Sequence, residues 1–207
     1  MRARPRHRRR AQASVVVIAG SGLLLASCGD RSGKTLDDPV FPLPATTVVS
    51  TTNPPPTVPP AEMTLLAPWV DGTEIPDRHT CAGAGVSPAL NWSNVPLDAV
   101  ELAVTVVDLD AAQFVHWIVY AIPAGSTGLV EGQIPDGAFV WPNSSGVAAW
   151  QELCPPSGET HRYQFTIHAL NQQLEVADDA SATEVLSILN ATSIDLSSIS
   201  GLSTGVG

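Results

Sequence analysis

Two aspartates, two histidines and a tyrosine stand where strand rims could bring them together. In residues 100–123, VELAVTVVDLDAAQFVHWIVYAIP, two apolar runs flank a short acidic loop. Side chains alternate along a strand, so Val100, Leu102, Val104 and Val106 share a face, and that parity extends to Asp108 and Asp110. In the second run Phe114, His116, Ile118 and Tyr120 share a face. A third run, residues 161–170, sets His161, Tyr163, Phe165, Ile167 and Ala169 on an apolar face and Arg162, Gln164, Thr166 and His168 on a wet one. Carboxylates and imidazoles at the ends of apolar faces can line a pocket. They can also ligate a metal that activates water, which would make the chain a hydrolase. Against that stands the ligand spacing: the groups come from separate strands, with no His-x-x-x-His or Glu-x-x-His pair on a helix and no Gly-x-Ser-x-Gly elbow. Plainer roles remain open: an acidic turn for Asp108 and Asp110, and a satisfied core histidine for His116.

The elements that must position these groups read as mostly β. Residues 63–70 form an expected strand before an Asp71-Gly72 turn. Residues 75–94 show no clean period, and His79 within them is expected at the surface. Residues 125–157 are Gly-, Pro- and Asn-rich, a loop long enough to imply function or motion. Residues 181–191 predict a helix, with Ser181 as cap, Glu184 as its capping-box partner, and Val185, Leu186, Ile188 and Leu189 as the apolar stripe. Residues 194–199 suit a last strand or a further helical turn, and the tail GLSTGVG is expected to fray. Trp92 and Trp117 are expected in the core or a pocket wall.

The start of the chain has a different composition. Residues 1–27 carry an Arg-rich head and a short apolar run, the pattern of an export signal. Leu25-Ala26-Ser27-Cys28 resembles a bacterial lipobox, which implies a lipidated Cys28 and an anchor on the extracytoplasmic face of the cell membrane. Residues 28–61 are rich in Pro and Thr and form an extended spacer, leaving residues 62–207 as the folded domain. Without the leader, four basic residues face twenty acids, a net of −16. Such a field repels nucleic acid, which argues against phosphate-backbone binding. Beyond Cys28 the only cysteines are Cys81 and Cys154. In an exported protein such a pair reads as a disulfide, the alternative being two buried thiols.

From residue 63 to 201 the chain resembles the phosphatidylethanolamine-binding protein family, in its bacterial Raf-kinase-inhibitor-like branch. The resemblance rests on Ile75-Pro76, Thr80-Cys81, Ser87-Pro88-Ala89-Leu90-Asn91-Trp92, Val95-Pro96 and Asp108-Leu109-Asp110-Ala111. It continues through His116-Trp117, Ile122-Pro123, Cys154-Pro155-Pro156 and His161-Arg162-Tyr163-Gln164-Phe165. It implies a mainly β fold with minor α: a central antiparallel sheet, a smaller flanking sheet and a C-terminal helix. It also implies an anion pocket lined by Asp108, Asp110, His116, Pro156, His161 and Tyr163. The imidazoles and the phenol would donate to the anion and the aspartates would orient and charge the imidazoles. The family's pattern has prolines where Leu109 and Ala112 stand, glycines within the segment here reading Ala149-Trp150-Gln151-Glu152-Leu153, and a Gly-Thr-Tyr where Gly201-Leu202-Ser203 stands.

The expected function is therefore non-catalytic. It is binding of a small anion or phospholipid headgroup, or regulation of a partner protein such as a protease or kinase, with no cofactor. A structural envelope protein with a decayed pocket is the alternative from another class.

Overall fold

The computed structural model describes residues 61–207. The leader, the lipobox cysteine and nearly all of the spacer lie outside the described residues. Two antiparallel sheets and one helix build the domain. The strands are β1 (Thr64–Leu66), β2 (Leu90–Ser93), β3 (Glu101–Asp108), β4 (Phe114–Pro123), β5 (Gly128–Leu129), β6 (Phe139–Val140), β7 (Thr160–Leu170) and β8 (Asp195–Thr204), with helix α1 (Ala182–Thr192) between the last two. The small sheet runs β1-β2-β5 and the large one β6-β4-β3-β7-β8. This is the mainly β architecture expected.

Strand β3 is the axis of the large sheet. All eight of its residues are buried, because β4 and β7 flank it and apolar clusters cover both faces. Leu102, Val104 and Val106 face the small sheet, together with Trp117, Val119, Tyr163, Phe165 and Ile167. Ala103 and Val107 face the helix, against Val115, Ile118, Val185 and Leu189. The alternation read for β3 and for the apolar face of β7 holds.

The alternation read for β4 does not. Val106 pairs with Trp117 and Val107 with Val115, so His116 is an extra residue in a β-bulge. The bulge sets Trp117 toward the small-sheet core, where Tyr163 and His116 also meet edge to face, and sends Ile118 and Tyr120 to the helix side. A second register shift between Leu102 and Val104, near Ala121 at φ 56°, returns Ile122 to the small-sheet core.

Other expectations need correcting. The strand expected over residues 63–70 shortens to Thr64–Leu66, because Trp69 turns inward and its indole N–H donates to Ser200 O at 2.9 Å. Residues 75–94 contain a 3₁₀ turn, Asp77–His79, and strand β2. His79 is buried there, with Nδ1 donating to Val86 O at 3.0 Å, and is no surface residue. The wet face of β7 is wet only at its start, since His168 is wholly buried beneath α1. The tail is not frayed: β8 pairs with β7 through ten residues, from Thr160↔Thr204 to Ala169↔Asp195. Its Ser-rich sequence carries little apolar signal, but the ladder satisfies its backbone. The helix forms as read, with Ser181 and Glu184 making the reciprocal capping box.

Candidate functional site

The end of β3 and the start of β7 lie side by side, with Asp108 opposite Tyr163. The acidic loop that follows is tied down locally. Asp108 Oδ1 accepts from the backbone N–H of Asp110 at 2.9 Å and of Ala111 at 3.1 Å, closing an Asx-type turn. Leu109 donates its N–H to Arg162 O at 2.9 Å, a bond that proline could not make. Ala112 has φ 50°, which a proline ring forbids. Both departures from the family's prolines therefore belong to one loop conformation.

That turn leaves Asp108 Oδ2 free, and it accepts from His161 Nδ1 at 2.7 Å. Both side chains are nearly enclosed, at 4% and 10% exposure. The carboxylate bond raises the imidazole's pKa above its ordinary value against the opposing effect of burial, with the Glu159 carboxylate adding to it. His161 is thus held toward imidazolium. His116 is the opposite case. Desolvation lowers its pKa, outweighing the hydrogen bond to Gln151 and the pull of Asp108. Its Nδ1 lies 3.1 Å from Gln151 O, an acceptor only, so Nδ1 carries the hydrogen and Nε2 keeps its lone pair. The Tyr163 ring sits between the two imidazoles, at 5.3 Å from His116 and 6.4 Å from His161. Burial, then the Asp108 carboxylate, pushes the Tyr163 phenol upward, so it stays a hydroxyl. The cluster holds a charged donor, a neutral donor and a neutral acceptor around one ring.

Of the six residues expected in the site, four come together: Asp108, His116, His161 and Tyr163. Asp110 reaches only the rim, exposed, with Oδ2 accepting from the backbone N–H of Arg162 at 2.6 Å. Pro156 belongs to the turn that carries Glu159. It is exposed, its carbonyl accepts from Glu159 N at 2.9 Å, and that same carbonyl crowds Gly205.

Three neighbours escape the sequence reading. Glu159 Oε2 lies 3.4 Å from His161 Nε2. Ser203 pairs across the ladder with His161 and is 7% exposed. Cross-strand partners share a face, so Ser203 stands on the same side of the sheet as His161. Gln151 contributes its carbonyl and also donates its N–H to His116 O at 3.2 Å. Glu159 alone carried a signal, as a carboxylate two residues from a histidine. Backbone carbonyls and cross-strand neighbours have none in a sequence.

The loop carrying Gln151 is anchored behind the site. Cys81 and Cys154 form a disulfide, Cys81 N donates to Leu153 O at 3.2 Å, and Trp150 Nε1 donates to Gly85 O at 2.9 Å. The Glu152 carboxylate folds over the Cα of Gly85, at φ 62°. A hollow of about 360 Å³ opens alongside, lined by Gly85, Asn143, Val147, Trp150, Gln151 and Glu152. Larger hollows, near the start of α1 and around residues 94–98, are lined by other residues.

Fold and site together define a β-rich domain with a small buried cluster of histidine, tyrosine and carboxylate, and solved structures share its architecture. A phosphatidylethanolamine-binding protein homolog from Chlamydia trachomatis superposes with a TM-score of 0.61 at 28% identity, covering 69% of this chain and 97% of that one. YbcL of Escherichia coli, described as a new member of the mammalian PEBP family, gives 0.64 at 31% identity, covering 71% and 100%. The phosphatidylethanolamine-binding protein family model matches residues 67–204, and the chain belongs to that family. A Mycobacterium tuberculosis protein named as a lipoprotein, LppC, is 38% identical over 172 residues, 80% of this chain and 84% of that protein. A UPF0098 protein of Methanothermobacter thermautotrophicus is 39% identical over 139 residues, 64% and 91%.

Proposed function

We propose that this protein binds a small anionic group, a phosphate or a phospholipid headgroup, without catalysing its turnover, while anchored through Cys28 to the outer face of the cell membrane. One observation carries the binding reading: Asp108 holds His161 as an enclosed imidazolium at 2.7 Å, and the Tyr163 phenol lies beside the same carboxylate. A charged N–H next to a neutral O–H, both desolvated, is a strong donor set for oxyanions. The neutral His116 Nε2 adds an acceptor for a protonated ligand oxygen. The family's name points to the headgroup of phosphatidylethanolamine. The anchor reading is supported by the lipobox and by the name of the LppC relative. A partner protein, protease or kinase, would then be regulated through occupancy of the same site.

The test is titration of the purified protein with inorganic phosphate and with phosphorylethanolamine, followed by calorimetry and by thermal shift. Binding in the millimolar range or tighter is expected, with loss on His161→Ala. A ligand at a hundred times its Kd should add about 2.7 kcal/mol of stability. No shift with either ligand would leave an anchored scaffold with a closed pocket. Stoichiometric zinc or iron lost on His116→Ala would instead favour a hydrolase.

A further inference from the structure

We propose that Glu159 is a built-in competitor for the anion site: its carboxylate occupies the one imidazole N–H of His161 that a ligand can reach. The inference rests on the anion-binding reading above. The two N–H groups of an imidazolium point apart, and Asp108 takes the inner one at 2.7 Å. The outer one, on Nε2, faces Glu159 Oε2 at 3.4 Å. An anion therefore gains the charged donor only by displacing Glu159.

The two carboxylates on His161 are held very differently. Asp108 is 4% exposed and anchored by two backbone N–H groups, so it is fixed. Glu159 is 64% exposed and its contact is at the long end of hydrogen-bond range. Its backbone is nevertheless pinned: Glu159 N donates to Pro156 O and Gly205 N to Glu159 O, each at 2.9 Å. A fixed backbone with a loose side chain is what a displaceable group needs. It stays tethered near Nε2 at high local concentration, yet can swing into water.

The charge around the ring sets which ligands succeed. Asp108, Asp110 and Glu159 all act on His161, three carboxylates on one imidazolium. Arg162 follows His161 on β7, so alternation sends its side chain to the other face of the sheet. A free monocarboxylate offers only the functional group that Glu159 already supplies. A phosphate brings further acceptor oxygens, which can reach the Tyr163 hydroxyl at the same time. Glu159 thus weakens both anions alike, and the further oxygens of phosphate decide between them.

The experiment uses the full-length protein, wild type, Glu159→Gln and Glu159→Ala, at fixed ionic strength. Inorganic phosphate and acetate are titrated while the His161 imidazole is followed by NMR, and the pH midpoint of His161 is measured without ligand. Both variants should lower that midpoint and tighten phosphate binding by about two- to fivefold, the range for losing one exposed ion pair. Wild type and both variants should prefer phosphate to acetate by similar factors, since a tethered competitor weakens each ligand equally. An unmoved midpoint would show that Glu159 does not act on His161 and would overturn the inference. So would unchanged or weaker phosphate binding in the variants, and in that case wild-type binding would leave the anion reading standing. If phosphate leaves the His161 resonance unmoved in all three proteins, the anion reading itself fails.

Discussion

Asp108 and the buried surroundings of His168 push two histidines of this domain in opposite directions, and each leaves its mark on a pH profile. For His161 the folded pKa is raised, so the stability it contributes is fully present below about pH 6.5 and is lost as pH rises through the folded value. Asp108→Asn should bring the His161 midpoint back down, measured by NMR, and weaken phosphate binding at pH 7. His168 is the reverse. Its Nδ1 lies 3.0 Å from Ser193 Oγ, whose own hydrogen goes to Leu189 O, so Nδ1 must donate. Nε2 then accepts from Thr105 Oγ1 at 3.1 Å, a pattern only the neutral ring can make with Thr105 donating. Burial lowers its pKa to about 4. The unfolded chain takes up that proton first, so stability should fall as pH drops from about 6.5 toward 4, by roughly 3 kcal/mol at most. Denaturant melts at pH 7.5, 6 and 4.5 check this, and His168→Leu should flatten the acid limb. At pH 7 that variant should cost about 1–3 kcal/mol, because Thr105 loses its partner.

Elements, in this domain, are held by contacts far apart in sequence. The Cys81–Cys154 bridge spans 73 residues and ties the Gln151 loop to residues 80–86. Reduction should lower stability by about 4 kcal/mol on the chain-entropy estimate, read as a drop in melting temperature with dithiothreitol. Because Gln151 O orients His116, reduction should also broaden the His116 NMR signals before the domain unfolds. Losing the α1 cap through Ser181→Ala should cost about 1 kcal/mol, measured by chemical denaturation. The same long reach explains what the sequence made legible. Strands β3 and β7 are regular, so simple alternation placed Asp108, His161 and Tyr163 on one side. Strand β4 carries an extra residue at His116, which exists only relative to β3, so Ile118 and Tyr120 were read onto the wrong face. Strand β8 is Ser-rich and owes its form to β7. Glu159 and Ser203 join the site only through a turn and a ladder. Resemblance alone points to Pro156, whose carbonyl holds the turn that carries Glu159.

At the scale of the whole molecule the dominant fact is charge. Residues 61–207 hold two arginines, no lysine and seventeen acids, a net of −15. Arg78 is already paired with Glu131. Self-repulsion of this size weakens the compact state and is screened within about 8 Å at physiological salt. Raising sodium chloride from 10 to 150 mM should therefore raise the melting temperature, as differential scanning calorimetry would show. The same field opposes an approaching phosphate, which makes the enclosure of His161 by Asp108 the local exception that binding needs. The pairing of Gly205 has a practical corollary. Gly205 bridges to Ser157, donates to Glu159 O and accepts from Gly158 N. A bulky label attached at Gly205 would strain the turn that presents Glu159. Affinity handles and fluorophores for this protein belong upstream of residue 61.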